Sequence, residues 1–111
     1  MQIESKACLE DIRCASERIF EFIDGKDFSF YTENLMLKSA IERQFEIVGE
    51  ALNRLYKRQP QLTAEIPDYQ KIISFRNILI HGYDVVEDRV VWDIISKYLP
   101  NLYEHVLYLL K

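Results

Sequence analysis

Residues 74–83 combine a permanently charged side chain with one that titrates near neutral pH. In this stretch Arg76 is followed directly by Asn77 and, five residues after the arginine, by His81. Arginine offers a planar charged fork that can hold a phosphate, and histidine can accept or release a proton near pH 7. Attack on RNA by a ribose 2′-hydroxyl needs a base, an acid and charge stabilisation, and no metal is obligatory. These residue types could together cleave RNA.

The spacing of Arg76 and His81 does not place them on one side of a regular helix. Five residues at about 100° each separate the two side chains by about 140° around the axis. Joint action would require the helix to unwind near Gly82, or two copies of the segment to face each other in a dimer. The alternative is that both are surface groups or a capping and packing pair, since histidine can satisfy the last carbonyls of a helix.

Four helices are expected to position these residues. Apolar residues recur at three- and four-residue steps, and Gly and Pro interrupt them rarely, which predicts helices over 3–23, 32–58, 67–82 and 87–111. Thr32 is the expected N-cap of the second helix, and Pro100 should kink or split the last one. We therefore expect an all-α, up-and-down bundle of four to five helices in a single domain, residues 1–111.

Composition narrows the classes of protein. The chain has 111 residues, 49% of them apolar, which excludes a disordered chain. A net charge of −4 opposes nucleic-acid binding through a broad basic surface, so any RNA chemistry would need a local basic site or a partner. No apolar run is long enough to span a membrane, and the charged first residues do not resemble a secretory leader. With Cys8 and Cys14 read as reduced thiols, we expect a cytoplasmic protein.

Several segments match the pattern of one family. Residues 76–83 contain an arginine, a polar residue, three further residues, a histidine, any residue and a tyrosine; the flanking matches are Ile47-Val48-Gly49-Glu50-Ala51, Val90-Val91-Trp92-Asp93-Ile94-Ile95 and Leu99-Pro100. The chain closely resembles, over essentially its whole length, the HepT-like branch of the HEPN superfamily. The resemblance implies a HEPN-type helical bundle.

The resemblance also implies an activity and partners. HEPN domains of this type are ribonucleases that use no metal and no cofactor, and they are commonly the toxin of a toxin–antitoxin pair whose antitoxin is a minimal nucleotidyltransferase. A homodimer brings two copies of the motif into one cleft. There Arg76 would hold the scissile phosphate, Asn77 would orient it or the histidine, and His81 would be the acid or base. Tyr83 matches the position that the partner modifies with AMP, which would block the cleft by bulk and charge.

Two other functions stay open at this point. The acidic net charge is compatible with a non-enzymatic module that docks beside a nucleotidyltransferase and supports nucleotide or substrate binding. In a purely structural four-helix protein, Arg76 and His81 would only cap and pack. The joint presence of Arg76, His81 and Tyr83 favours the ribonuclease.

The remaining polar residues carry weaker expectations. Glu50 is expected on a solvated face or in a row of ion pairs, which would also contain Glu42, Arg43 and Glu46. His105 is expected in a surface or packing position. A modest basic cluster could guide RNA: Arg54, Lys57, Arg58 and Lys71. Phe75 and Leu79 are the expected apolar contact between two copies.

Overall fold

The first helix has the bounds that its apolar periodicity predicts. The computed structural model describes residues 1–82 and 86–111, and α1 runs over Ile3–Ile23. Its buried face consists of Ser5, Cys8, Leu9, Ile12, Ala15, Ser16 and Ile19. The chain leaves the helix through Gly25, whose φ of 73° lies in the left-handed region that glycine enters without a steric penalty.

The second predicted helix is divided into two. A short α2 covers Phe28–Glu33, and the long α3 covers Leu35–Arg58. Asp27 caps α2 and Asn34 caps α3, because each side chain accepts the backbone N–H three residues further on, at 2.9 and 2.8 Å. The prediction of Thr32 as the N-cap was wrong: Thr32 lies inside α2, and the cap of the long helix is the asparagine two residues later.

The helix that carries the chemical motif follows a one-turn helix. That turn, α4, covers Pro60–Thr63, and α5 covers Tyr69–His81. Asp68 precedes α5 in a left-handed conformation, with a φ of 60°. Gly82 ends α5 as predicted, and its N–H donates to the carbonyl of Ile78 at 2.7 Å. His81 is therefore the last residue of a regular helix.

The last predicted helix is interrupted directly before Pro100. It consists of α6, Asp88–Asp93, a π-helical turn, Ile94–Tyr98, and α7, Leu99–Leu110. The N–H of Leu99 donates to the carbonyl of Ile94, five residues back. Proline has no N–H and its ring crowds the carbonyl four residues back, so the wider turn gives Pro100 a place near the start of α7.

The long helices pack around one apolar core. α1 lies against α3 and α7, α3 also lies against α5, and α2 contacts α3 and α6. The rings of Phe45 and Phe75 meet edge to face at 5.2 Å between α3 and α5. Phe75 and Leu79 are each only 4% exposed. The expectation that these two residues contact a second copy was wrong, because both are used inside the monomer.

A polar contact joins the first and the last helix. The hydroxyl of Tyr103 donates to Oε2 of Glu17 at 2.7 Å, and the ring of Tyr103 meets Phe20 edge to face. This hydrogen bond lowers the pKa of Glu17 below its ordinary value and raises the pKa of Tyr103 to about 12. The contact therefore favours the protonated tyrosine and the ionised glutamate together.

Within residues 1–82 and 86–111 every regular element is helical. The predicted all-α, up-and-down bundle is confirmed, with the short α2 and α4 added to it. No helix in these two ranges is long and apolar enough to cross a membrane.

Candidate active site

α5 divides its side chains between the core and the solvent. Its buried face consists of Ile72, Phe75 and Leu79. On the opposite side Ser74, Asn77, Ile78 and His81 are exposed. These four positions lie within about 100° of the helix circumference, because residues three, four and seven apart share a face. Asn77 and His81 are thus neighbours on an open surface at the C-terminal end of α5.

Arg76 lies beside this face and is held by two partners. Its side chain is 20% exposed. One terminal nitrogen, Nη2, forms an ion pair with Glu50 of α3, and the other, Nη1, donates to Oδ1 of Asn77 at 2.9 Å. Nε is buried without a hydrogen-bond partner. The charged end of Arg76 is therefore anchored between α3 and the exposed face of α5.

Gly49 explains how Arg76 comes so close to α3. A Cβ at residue 49 would lie 2.7 Å from Cγ of Arg76, closer still to its Cβ, and 3.4 Å from the carbonyl oxygen of Ile72. Nonbonded carbons rest about 3.5–4.0 Å apart, so any side chain at Gly49 would push the two helices apart. The glycine in the middle of α3 lets the stem of Arg76 lie directly on the α3 backbone.

Through Asn77 the structure links Arg76 to the face that carries His81, a connection that the sequence did not predict. α5 stays helical through His81, so the unwinding considered above does not occur within 69–81. Asn77 lies between the two, about 100° around the axis from Arg76 and about 40° from His81. Because the guanidinium donates to Asn77, its charge is shifted to the histidine side of the helix. Among the described contacts none joins Arg76 directly to His81.

Glu50 is the residue at this site that sequence reasoning did not assign. It was expected on a solvated face or in an ion-pair row, and it does form an ion pair, with a residue of the motif itself. A glycine inside an otherwise uninterrupted helix, directly before a carboxylate, was the signal that could have identified it. Such a glycine often marks a close approach of another segment.

The other predicted candidates lie away from the motif. Arg54 of the basic cluster pairs with Asp11 at 3.2 Å, and Nζ of Lys71 lies 4.0 Å from the ring centre of Tyr98. These two cations are therefore engaged by α1 and the π-helical turn. The rings of His105 and Tyr108 in α7 lie 5.7 Å apart and are tilted by 49°, in agreement with the packing position expected for His105.

Tyr83, the predicted modification site, lies outside the described residues.

Within the described ranges no cluster of three or more His, Cys, Asp or Glu side chains has the arrangement of a metal site.

A groove runs along the exposed face of α5. It has a volume of about 860 Å³, with Ser74 and Ile78 on one side and Val90, Asp93 and Tyr98 on the other. Ile78 and Val90 are 47% and 45% exposed, which is high for large apolar side chains on a bundle. Ile78 is the lining residue nearest the motif, since it directly follows Asn77 and precedes His81 by three residues, whereas Arg76, Asn77 and His81 themselves do not line the groove.

Comparison with known proteins matches the chain to a family of nucleases. The family described as Ribonuclease HepT-like matches residues 12–109. Since this is most of the chain, the protein belongs to the HepT-like ribonuclease family of the HEPN superfamily.

Individual relatives agree with this assignment along nearly their whole length. A protein of Caldanaerobacter subterraneus subsp. tengcongensis, named a putative RNase, is 33% identical over 98 residues, which are 88% of this chain and 87% of the relative. The probable ribonuclease HepT of Thermococcus cleftensis is 33% identical over 102 residues, 92% of each chain. A protein of Methanocaldococcus jannaschii, also named a putative RNase, is 29% identical over 101 residues, 91% and 92% of the two chains. No solved structure gives a significant match.

Proposed function

We propose that the chain is a metal-independent endoribonuclease and the toxin of a toxin–antitoxin pair, with a minimal nucleotidyltransferase as its antitoxin. The observation that carries the proposal is the arrangement at the end of α5. The guanidinium of Arg76 donates to Asn77, and the exposed Asn77 shares one face of the helix with the exposed His81. Membership of the HepT-like ribonuclease family supports the activity.

The proposed reaction uses the RNA's own 2′-hydroxyl as nucleophile. His81 takes the proton of the 2′-hydroxyl as its oxygen attacks the adjacent phosphorus, and Arg76 stabilises the charge that develops on the phosphate oxygens. The bond from phosphorus to the 5′-oxygen breaks, and a second acid donates a proton to that oxygen. The products are a 2′,3′-cyclic phosphate and a free 5′-hydroxyl. Asn77, whose Oδ1 accepts from Arg76, keeps its amide hydrogens for a phosphate oxygen.

We propose that the second acid is His81 of another copy. One chain supplies a single histidine at this face, and the reaction needs an acid and a base at the same time. Ile78 lies on the face that also carries Asn77 and His81, and its exposure together with that of Val90 offers an apolar contact. A two-fold contact centred on Ile78 would place the two histidines on either side of one RNA strand.

Tyr83 gives the antitoxin a way to stop this reaction. It follows His81 by two residues in the sequence. Transfer of AMP to its hydroxyl would add a phosphate charge and a nucleoside close to the position that must receive the RNA backbone. Repulsion and bulk would then exclude the substrate.

The test is cleavage of a fluorescent single-stranded RNA by the purified chain, after its intact mass has shown that Tyr83 carries no AMP. We expect cleavage in the presence of EDTA, a cyclic phosphate on the product, and no cleavage of the same sequence made of DNA. His81→Ala should reduce the rate at least about 100-fold, which is the usual contribution of a general acid or base. His105→Gln, at the other of the two histidines, is the matched control and should leave the rate unchanged.

Two results would contradict the proposal. Equal cleavage by the wild type and His81→Ala would remove the histidine from the mechanism. No cleavage by the unmodified wild type would favour the non-enzymatic module that docks with a nucleotidyltransferase, which predicts stable co-purification with that enzyme.

A further inference from the structure

We propose that Glu50 is a positioning residue of the active site, which acts through Arg76 and fixes the plane of its guanidinium for the scissile phosphate. This inference rests on the proposed ribonuclease function. It assigns a role to a residue of α3 that lies outside the motif on α5 and is 26 positions from Arg76 in the sequence.

The hydrogen bonds of Arg76 define which edge remains for a ligand. Nη2 is engaged by Glu50 and Nη1 by Asn77, while Nε is buried. Each terminal nitrogen of a guanidinium carries two hydrogens, so one hydrogen on each stays available. A phosphate can therefore be held by the two terminal nitrogens together, and the side of the group that contains Nε is closed to it.

Two anchors are needed to hold this edge in one orientation. A single hydrogen bond to Asn77 would leave the guanidinium free to turn about that bond. The ion pair with Glu50 fixes a second nitrogen of the same planar group, and the plane is then determined. The stem of Arg76 rests on Gly49, directly before Glu50, so the same turn of α3 supports both the stem and the charge.

The charge of Glu50 has a second, opposite effect on RNA. Its side chain is 46% exposed and pairs with the guanidinium that would hold the phosphate, so its carboxylate lies close to the space in which the phosphate would bind. A negative charge there repels the substrate. A positioning carboxylate at this place would raise the rate of the chemical step by orienting Arg76 and at the same time weaken binding of the substrate by repulsion. A carboxylate that only stabilised the fold would not have both effects.

The experiment measures these two effects separately in Glu50→Gln, which removes the charge and keeps the size. We expect kcat to fall about tenfold or more, because a misoriented catalytic group is costly. Binding of an uncleavable 2′-deoxy oligonucleotide should be unchanged or up to about threefold tighter, because a repulsive charge is gone. Glu50→Asp keeps the charge on a shorter side chain and should retain an intermediate kcat.

Glu46→Gln is the matched control. Glu46 lies one turn earlier on α3 and pairs with Arg43 at 3.5 Å. It should keep the wild-type kcat and oligonucleotide affinity. In an Arg76→Lys background, Glu50→Gln should change kcat less than about twofold, since residues that act as one unit are not additive.

The arginine can also be observed without any RNA cleavage. In the wild type, the Nε–H signal of Arg76 in a nitrogen-15 spectrum, assigned by its loss in Arg76→Lys, should be ordered and protected from solvent exchange. Glu50→Gln should make it exchange at least about tenfold faster, as expected when a buried side chain gains access to water.

The outcomes separate this inference from the proposed function. An unchanged kcat in Glu50→Gln, or an equal loss in Glu46→Gln, would overturn the positioning role. If the unmodified wild type cleaves no RNA, the proposed function fails. The exchange of the Arg76 signal then decides whether Glu50 orders the arginine. An unchanged exchange rate in Glu50→Gln would refute that as well.

Discussion

Replacement of Gly49 by alanine is expected to damage the active site far more than the fold. The added methyl group would lie 2.7 Å from Cγ of Arg76 and nearer still to its Cβ. Carbon atoms that are not bonded rest about 3.5–4.0 Å apart, so α3 and α5 must separate by roughly 1 Å. The stem of the arginine close to the backbone cannot turn aside as the end of a long side chain could. The separation would therefore fall on the ion pair between Arg76 and Glu50.

The expected change in stability is small because two effects oppose each other. Overpacking of a close contact costs about 1–3 kcal/mol in the free energy of unfolding. Alanine is favoured over glycine inside a helix by about 1 kcal/mol, which offsets part of that cost. We expect a net destabilisation of about 1 kcal/mol, measured by urea unfolding followed by circular dichroism.

The expected change in activity is large. A misplacement of about 1 Å at a catalytic group can cost roughly 100-fold in rate, and we expect a loss of this order in the RNA cleavage assay. Ser39→Ala is the control, because Ser39 is an exposed residue of the same helix, ten positions before Gly49. It should keep the wild-type rate with equal or slightly higher stability. A Gly49→Ala variant that is more stable by about 1 kcal/mol and cleaves RNA at the wild-type rate would refute the reasoning.

Two further predictions concern the α1–α7 contact and the proposed dimer. Tyr103→Phe removes the hydrogen bond to Glu17 and should lower the free energy of unfolding by about 1 kcal/mol, since the pair is partly exposed. Because the pKa of Glu17 is lowered from 4.5, the contact contributes its full stabilisation only above pH 4.5, and this stabilisation is lost as the pH falls through the lowered pKa. Because the pKa of Tyr103 is raised from 10.0 to about 12, the contact contributes its full stabilisation only below pH 10.0, and this stabilisation is lost as the pH rises through about 12. The difference between wild type and variant, from urea titrations at several pH values, should thus be largest between about pH 5 and 10, and a constant difference down to pH 2 would contradict the assignment. Ile78→Asp should shift sedimentation from dimer to monomer and abolish RNA cleavage while the circular dichroism spectrum is kept, whereas an active dimer of this variant would place the contact elsewhere.

The sequence predicted the fold well where regular spacing decides it. α1 and the end of α3 follow from apolar residues that recur with the period of a helix, and Gly82 marks the end of α5. The start of α3 was misplaced because Thr32 and Asn34 are both good N-caps, and only the packing of α2 against α3 and α6 selects the asparagine.

The sequence predicted the candidate site residues that lie within one helix, and it did not predict the contact between two helices. Arg76, Asn77 and His81 stand out by residue type within a single helix. Glu50 could not be connected to them, because the contact depends on how α3 and α5 pack and on the space that Gly49 leaves. The predicted contact through Phe75 and Leu79 failed for a related reason. An apolar residue on a helix indicates that its side chain is buried. Whether the same chain or a second copy buries it depends on how the neighbouring helices pack, which the sequence does not show.

The π-helical turn before Pro100 has a consequence for how this chain tolerates changes in length. A π-helical turn takes up one residue more than an α-helical turn, so Ile94–Tyr98 sets the rotation of α7 relative to α6. Removal of the exposed Ser96 would let the segment close into a regular α-helical turn and leave α7 near its present rotation, because the turn already contains the extra residue. Insertion of one more residue would instead turn the whole of α7 by about 100°. Leu102 and Val106 would then leave the core, and Tyr103 would turn away from Glu17. We therefore expect this turn to tolerate the loss of one residue and not the gain of one.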